Sequence, residues 1–247
     1  MQITLPTTKQ KPVSTSPDNL IIFSKPKVGK TTLLASLPEC LILDLEKGSK
    51  YVEALKISAE STDEIIAIGK AIKEAGYPYK YVAVDTVTAL EEICLPLAEK
   101  LYTETPMGKN WPTDGKTKYG SLLNLPNGAG YPWLRDAMTK IISYVKMWAP
   151  RVILCCHVKD VLLEKNGAEF TALDINVTGK MKMILASQSD AIGYLYRKGN
   201  TNILSFKTKD EVSCGARPEH LRNQEFVVSK IEDNGQVTVD WSKIYID

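Results

Sequence analysis

The sequence predicts an α/β fold, a mainly parallel sheet with helices on both faces and antiparallel hairpin additions at one edge. Three observations carry that expectation. Residues 19–23, 40–45, 81–85 and 151–158 are almost unbroken apolar runs, which suits strands buried on both faces. Segments of helical periodicity alternate with them, as connections between parallel strands require. Turn signals then multiply toward the C-terminus, with Asn166-Gly167 and Asp233-Asn234-Gly235 marking hairpins.

Residues 1–18 hold three prolines and several Ser and Thr, and read as a flexible arm. A strand over 19–23 leads into a loop and a helix that starts near Lys30 and stops before Pro38. A second strand, "CLILDL", ends in acids. Residues 62–76 open with Ser/Thr/Asp capping chemistry and place Ile65, Ile68 and Ile72 along one helical face. "YVAVD" is a third strand and runs into a helix over about 88–101. Residues 102–131 are irregular and rich in Gly, Pro, Asn and Lys, too long for an ordinary connection and therefore either mobile or functional. Residues 133–148 form an amphipathic helix ended by Pro150, and "RVILCCHV" is the fourth strand. A hairpin, a short helix over 181–187, strands over 191–197 and 203–207 and a last hairpin follow. The expected organisation is thus an arm (1–18), a core (19–210) and a C-terminal extension (211–247).

Of the 247 residues, 44% are hydrophobic and 24% charged, an ordinary globular balance. A net charge of +2 does not by itself point to nucleic acid, though a local basic patch is compatible with it. The five cysteines lack C-x-x-C spacing and read as buried free thiols in a reducing compartment. No apolar run approaches the ~20 residues of a membrane span, and the N-terminus has no signal core, so a cytoplasmic chain without membrane contact is expected.

The chemistry centres on "IIFSKPKVGKTTLL". A phosphate loop needs a strand, a tight turn with inward amides, a lysine for phosphate and a hydroxyl for magnesium. Ser24, Lys25, Pro26, Lys27, Val28, Gly29, Lys30, Thr31 and Thr32 supply that sequence, with Lys30 as the lysine and Thr31 as the Mg2+ ligand. Ser24 stands where the usual pattern has its first glycine. ATP with Mg2+ is therefore the expected ligand pair. Hydrolysis also needs acids near the γ-phosphate. Asp85 closes "YVAVD" and would hold Mg2+ through water, while Glu46, after "LILDL", would polarise the attacking water. Asp44 is better explained as a solvated acid at a strand end. His157, at the end of the fourth strand, is placed to sense the γ-phosphate, the alternative being a hydrogen-bonded structural histidine. Parallel strands collect ligands at their carboxyl ends, so these residues should converge.

Together these motifs resemble the RecA-like recombination ATPases. "YVAVDTVTAL" is similar to the Walker B segment of that family, and "LILDLEKGS" to its D-x-E strand end, which puts the catalytic glutamate at Glu46. "RVILCCHVKD" resembles the next core strand, with His157 in place of the family's coupling glutamine. "TGKMKMILASQSDAIGYLYR" is similar to the helix and strand that follow the DNA-binding loop. The most similar branch is the small phage-encoded Sak-group ATPases that assist single-strand annealing. The resemblance spans roughly residues 19–206. It implies an RecA-like P-loop core, ATP hydrolysis within a homo-oligomer (ring or filament), single-stranded DNA as ligand, and a single-strand-binding protein as a possible partner.

In that family the loops after the Walker B helix and after the sensor strand face DNA. The matching segments carry Lys109, Trp111, Lys116, Lys118 and Tyr119, then Lys159, Lys165 and Lys180. Cations that track phosphate beside aromatic faces that stack on bases suit unpaired DNA, but solvated lysines on loops explain the same residues. Arg217 or Lys207 would complete a neighbour's ATP site in trans, the alternative being local pairing with Asp210 or Glu211 worth under ~1 kcal/mol. Lys25 leaves a second class open, the partition-type ATPases, whose loops carry an extra signature lysine and whose nucleotide state controls assembly. A helicase would need further domains, and a small-molecule kinase an acceptor pocket that the sequence does not reveal.

Overall fold

Along its first half the chain alternates strand and helix: β1 (Asn19–Ser24), α1 (Lys30–Ala35), β2 (Cys40–Asp44), β3 (Lys56–Ser58), α2 (Thr62–Glu74), β4 (Tyr81–Asp85), α3 (Val87–Ile93), α4 (Leu95–Thr103) and α5 (Tyr131–Val145). It continues through β5 (Arg151–Lys165), β6 (Ala168–Ile175), α6 (Met181–Gln188), β7 (Ala191–Lys198), β8 (Thr201–Ser205), β9 (Gly215–Ala216), β10 (Glu225–Ile231) and β11 (Val237–Val239). This computed structural model describes residues 5, 7–109, 121–165, 168–208 and 212–246. Among them no helix is long and apolar enough to cross a membrane.

The strand order is β11-β10-β8-β7-β1-β5-β4-β2-β3. From β7 to β3 all neighbours are parallel, and β8, β10 and β11 extend the β7 edge in antiparallel pairing. The fold is the α/β architecture expected from the sequence. Successive residues of each central strand point to opposite faces, which explains the unbroken apolar runs. Ile21, Phe23, Val82, Val84, Val152 and Leu154 join the core beneath α2, α3 and α5. Leu20, Ile22, Ala83 and Ile153 join the other core, with Leu33 and Leu34 of α1.

The helix α1 is too short to cover that second face alone. Trp241, Ile244 and Tyr245 complete it, and Trp241 Nε1 donates to Leu33 O over 2.9 Å. The C-terminal segment thus buttresses the helix that follows residues 25–29. At the other end, Ser16 is buried and its hydroxyl accepts from the Ile246 amide over 2.9 Å.

Three local departures from expectation have simple causes. The helix expected over 88–101 is two helices, because Pro96 at the start of α4 has no N–H to continue the ladder. The fourth strand does not stop at Val158. Instead β5 runs on to Lys165 and pairs antiparallel with β6, forming a ribbon beyond the main sheet. The edge strand β3 has no apolar signature, since its three residues are all exposed.

Candidate functional site

Register sets the site. Ser24 lies beside His157, and Asp44 beside Asp85, at the carboxyl ends of β1, β2 and β4 and at the point where β5 leaves the parallel sheet. The loop from Lys25 to Gly29 leaves β1 at this edge and enters α1. Lys25, Pro26 and Lys27 are exposed, Val28 and Gly29 half-buried. Gly29 has φ 112°, a left-handed conformation that a side chain would strain. Lys30 is 7% exposed, and its Nζ donates to Ser24 Oγ over 3.0 Å. Ser24 Oγ in turn donates to Lys25 O over 2.8 Å.

Thr31 follows on the same turn, with Thr32 half-buried beside it. Thr31 Oγ1 donates to Asp85 Oδ2 over 2.7 Å. A hydroxyl and a carboxylate side by side form the hard-oxygen donor set that Mg2+ takes when phosphates and water complete its shell. Among the described residues there is no cluster of three or more His, Cys, Asp or Glu suited to a metal. Burial pushes the Asp85 carboxyl above its ordinary value. The Thr31 hydrogen bond and the Lys30 charge oppose that rise, while Glu46 and Asp44 add to it.

Glu46 and His157 meet across 2.8 Å, Oε1 to Nε2. Thr86 Oγ1 donates to the same Glu46 oxygen over 2.5 Å. His157 Nδ1 is buried with no hydrogen-bond partner. The backbone behind the histidine is fixed as well. Its amide donates to Thr88 Oγ1 over 3.1 Å, and its carbonyl accepts from the Asn176 amide over 2.8 Å. The glutamate is therefore aimed by two side chains that arrive from different strand ends.

Asp44 does different work. Its carboxylate accepts from the amides of Glu46, Gly48 and Ser49 and from the Ser49 hydroxyl. Burial raises its proton affinity, but these bonds, led by Ser49, outweigh burial and hold the carboxyl below its ordinary value. Asp44 shapes the turn that presents Glu46.

Ser24, Lys30, Thr31, Asp85, Glu46 and His157 are thus gathered at one sheet edge. Arg217 is not among them. Its amide bonds Asp190 O, its guanidinium pairs with Asp190 Oδ1 over 3.2 Å and donates to Ser187 O, and Asp190 also binds the start of β1. Within its own chain Arg217 therefore lies a strand length away, at the opposite end of the sheet. Lys207 pairs with Glu225 over 2.7 Å. Lys109 and Lys180 are exposed, and Lys159 donates to Val177 O over 3.1 Å. Trp111, Lys116, Lys118 and Tyr119 lie outside the described residues, as does the side chain of Lys165. The cysteines form no disulfide and are buried, and burial pushes the thiols of Cys40, Cys94 and Cys156 up to about 12, which removes them from nucleophilic chemistry.

Sequence reading missed Thr86, Arg197 and Asn202. Thr86 had a signal, since it follows Asp85 and caps α3 by accepting from the Ala89 amide. Arg197 Nη2 and Asn202 Nδ2 both donate to Val28 O in the phosphate loop, each over 3.0 Å. Neither carries a sequence signal, because β7 lies beside β1 only in the folded order.

Comparison with known proteins gives three findings. The AAA domain family matches residues 16–218. Among solved structures, a RadB recombinase is similar at 13% identity and a TM-score of 0.45, over 90% of each chain. A KaiC-like protein from the hyperthermophilic archaeon Pyrococcus horikoshii is similar at 10% identity and a TM-score of 0.42, over 90% of this chain and 89% of that one. No curated protein matches the sequence.

Proposed function

The chain belongs to the AAA domain family and is an ATPase, and from that premise we propose that it is a P-loop ATPase of RecA-like fold that couples ATP hydrolysis to binding of single-stranded DNA, as a homo-oligomer in recombination or annealing. One observation carries the reading. β5 runs without a break from His157, in contact with Glu46, into the β5–β6 ribbon, where Lys159 stands two residues further on. A continuous ladder then links the nucleotide site to the segment that corresponds, by the resemblance to RecA-like ATPases, to a DNA-binding loop.

In this mechanism Lys30 and the loop amides hold the β- and γ-phosphates. Thr31 and Asp85 are the residues that would hold Mg2+. The ion, when bound, neutralises charge on the phosphates. Glu46 takes a proton from the attacking water, oriented by His157 and Thr86. ATP binding favours the arrangement that grips DNA, and hydrolysis releases it.

The test is ATP turnover with and without a single-stranded oligonucleotide, beside a duplex of the same sequence. Single strands should stimulate turnover, and Lys30→Ala should abolish both turnover and ATP-strengthened DNA binding. Turnover that ignores single strands, or DNA binding that is the same in Lys30→Ala, would remove the reading.

A further inference from the structure

The carbonyl of Val28 is held from outside the phosphate loop. Arg197, at the end of β7, and Asn202, on β8, are cross-strand partners in one hairpin. Arg197 Nε donates to Asn202 Oδ1 over 3.1 Å, and both side chains then donate to Val28 O over 3.0 Å. Asn202 is 7% exposed and also donates to Ser229 Oγ of β10 over 2.9 Å. The pair is therefore anchored in the antiparallel half of the sheet, not in the loop it grips.

The consequence follows from peptide geometry. In a trans peptide the C=O and the next N–H point in opposite directions. A Val28 carbonyl drawn outward to the hairpin turns the Gly29 N–H inward, toward the inside of the loop. That amide belongs to the set that meets phosphate in such loops. Gly29 makes the arrangement possible in a second way, since a Cβ there would lie 3.3 Å from Asn202 Nδ2.

We propose that Arg197 and Asn202 are positioning residues for nucleotide binding, orienting the Gly29 amide through the Val28 carbonyl. The proposal rests on the reading of residues 24–31 as a phosphate site. Neither residue needs to touch nucleotide. Asn202 is neutral, so its contribution cannot be a simple attraction of a cation for phosphate.

The experiment measures ADP affinity by calorimetry in wild type, Asn202→Ala, Arg197→Ala and Arg197→Lys, with melting temperature recorded for each. Asn202→Ala should weaken ADP about tenfold, the scale of one lost hydrogen bond of this kind. The KM for ATP should rise in step, with kcat at saturation within about twofold of wild type, the pattern of lost ground-state binding. Arg197→Ala should also weaken ADP, and Arg197→Lys, which keeps a donor for Val28 O, should restore most of the loss. Wild-type ADP affinity in a folded Asn202→Ala variant would overturn the proposal. So would a loss of kcat and melting temperature without a change in KM, because that marks a merely structural role. If Asn202→Ala does not fold, the Arg197 pair decides, and equal affinity in Arg197→Ala and wild type overturns it. A wild-type chain that binds no ADP would overturn the phosphate-site reading itself, and this proposal with it.

Discussion

Lys30 Nζ donates to the hydroxyl of Ser24 over 3.0 Å, at a strand end that is wholly buried. Ser24 occupies the place of the usual first glycine, yet it is not among the residues with positive φ. The backbone there makes no demand for glycine. What the serine adds is an acceptor, with which phosphate oxygens must compete for the lysine. Ser24→Ala removes the competitor and should tighten ADP binding about three- to tenfold, since bonds to charged groups are among the stronger ones. Calorimetric titration checks it, and weaker binding would show that the hydroxyl belongs to the cradle.

Glu46 is aimed by His157 and Thr86, so the two kinds of substitution should separate. Glu46→Gln keeps size and hydrogen bonding but loses the base, and should cut kcat by about 10²- to 10⁴-fold with ADP affinity retained. His157→Ala should reduce kcat by roughly tenfold, because Thr86 still holds the carboxylate. Single-turnover hydrolysis beside ADP titration distinguishes them. Full activity in Glu46→Gln would mean that another group is the base.

Much of this site was legible because parallel strands buried on both faces write unbroken apolar runs, and the residue that ends each run is then fixed by counting. Asp85 and the stretch after Asp44 could be placed at one edge in that way. The contact between Glu46 and His157 could not, since it depends on which strands are neighbours, and β5 lies beside β1 and β4 only in the folded order. Arg197 and Asn202 were invisible for another reason. Their acceptor is the backbone oxygen of Val28, which has no signature in a sequence. The local partner of Arg217 was equally hard to read, because Asp190, which pairs with it at the amino-terminal end of β7, is 27 positions away in the chain.

Packing between α2 and α5 sets a stability prediction away from the site. A Cβ on Gly69 would lie 2.5 Å from both Trp148 Nε1 and Tyr144 OH. Trp148 is 1% exposed, Tyr144 OH donates to Ile66 O over 3.1 Å, and the two rings meet edge to face. Neither ring can yield without loss. Gly69→Ala should destabilise the chain by about 1–3 kcal/mol from overpacking, reduced by up to ~1 kcal/mol of helix propensity. The urea midpoint measures it, and a rise in the midpoint would show that the rings repack freely.

Asp85 joins stability and function with opposite signs. Burial raises its carboxyl above the ordinary value of 3.8, so folding favours its protonated form. As pH rises from that value, the unfolded chain releases the proton first and the folded chain keeps it longer. The folded state binds more protons in this window, so stability declines through it and the penalty is complete once the folded carboxyl has ionised. Asp85→Asn removes the titration while leaving an oxygen to accept from Thr31. The variant should melt higher than wild type at pH 7, with a gain that shrinks as pH approaches 4. It should also lose about 10- to 100-fold in Mg2+-dependent turnover, the scale seen when a carboxylate behind a metal's bound water is removed. Melting curves at both pH values and a Mg2+ titration of turnover check the two halves. A lower melting point at pH 7 would show that the Lys30 charge and the Thr31 bond outweigh burial.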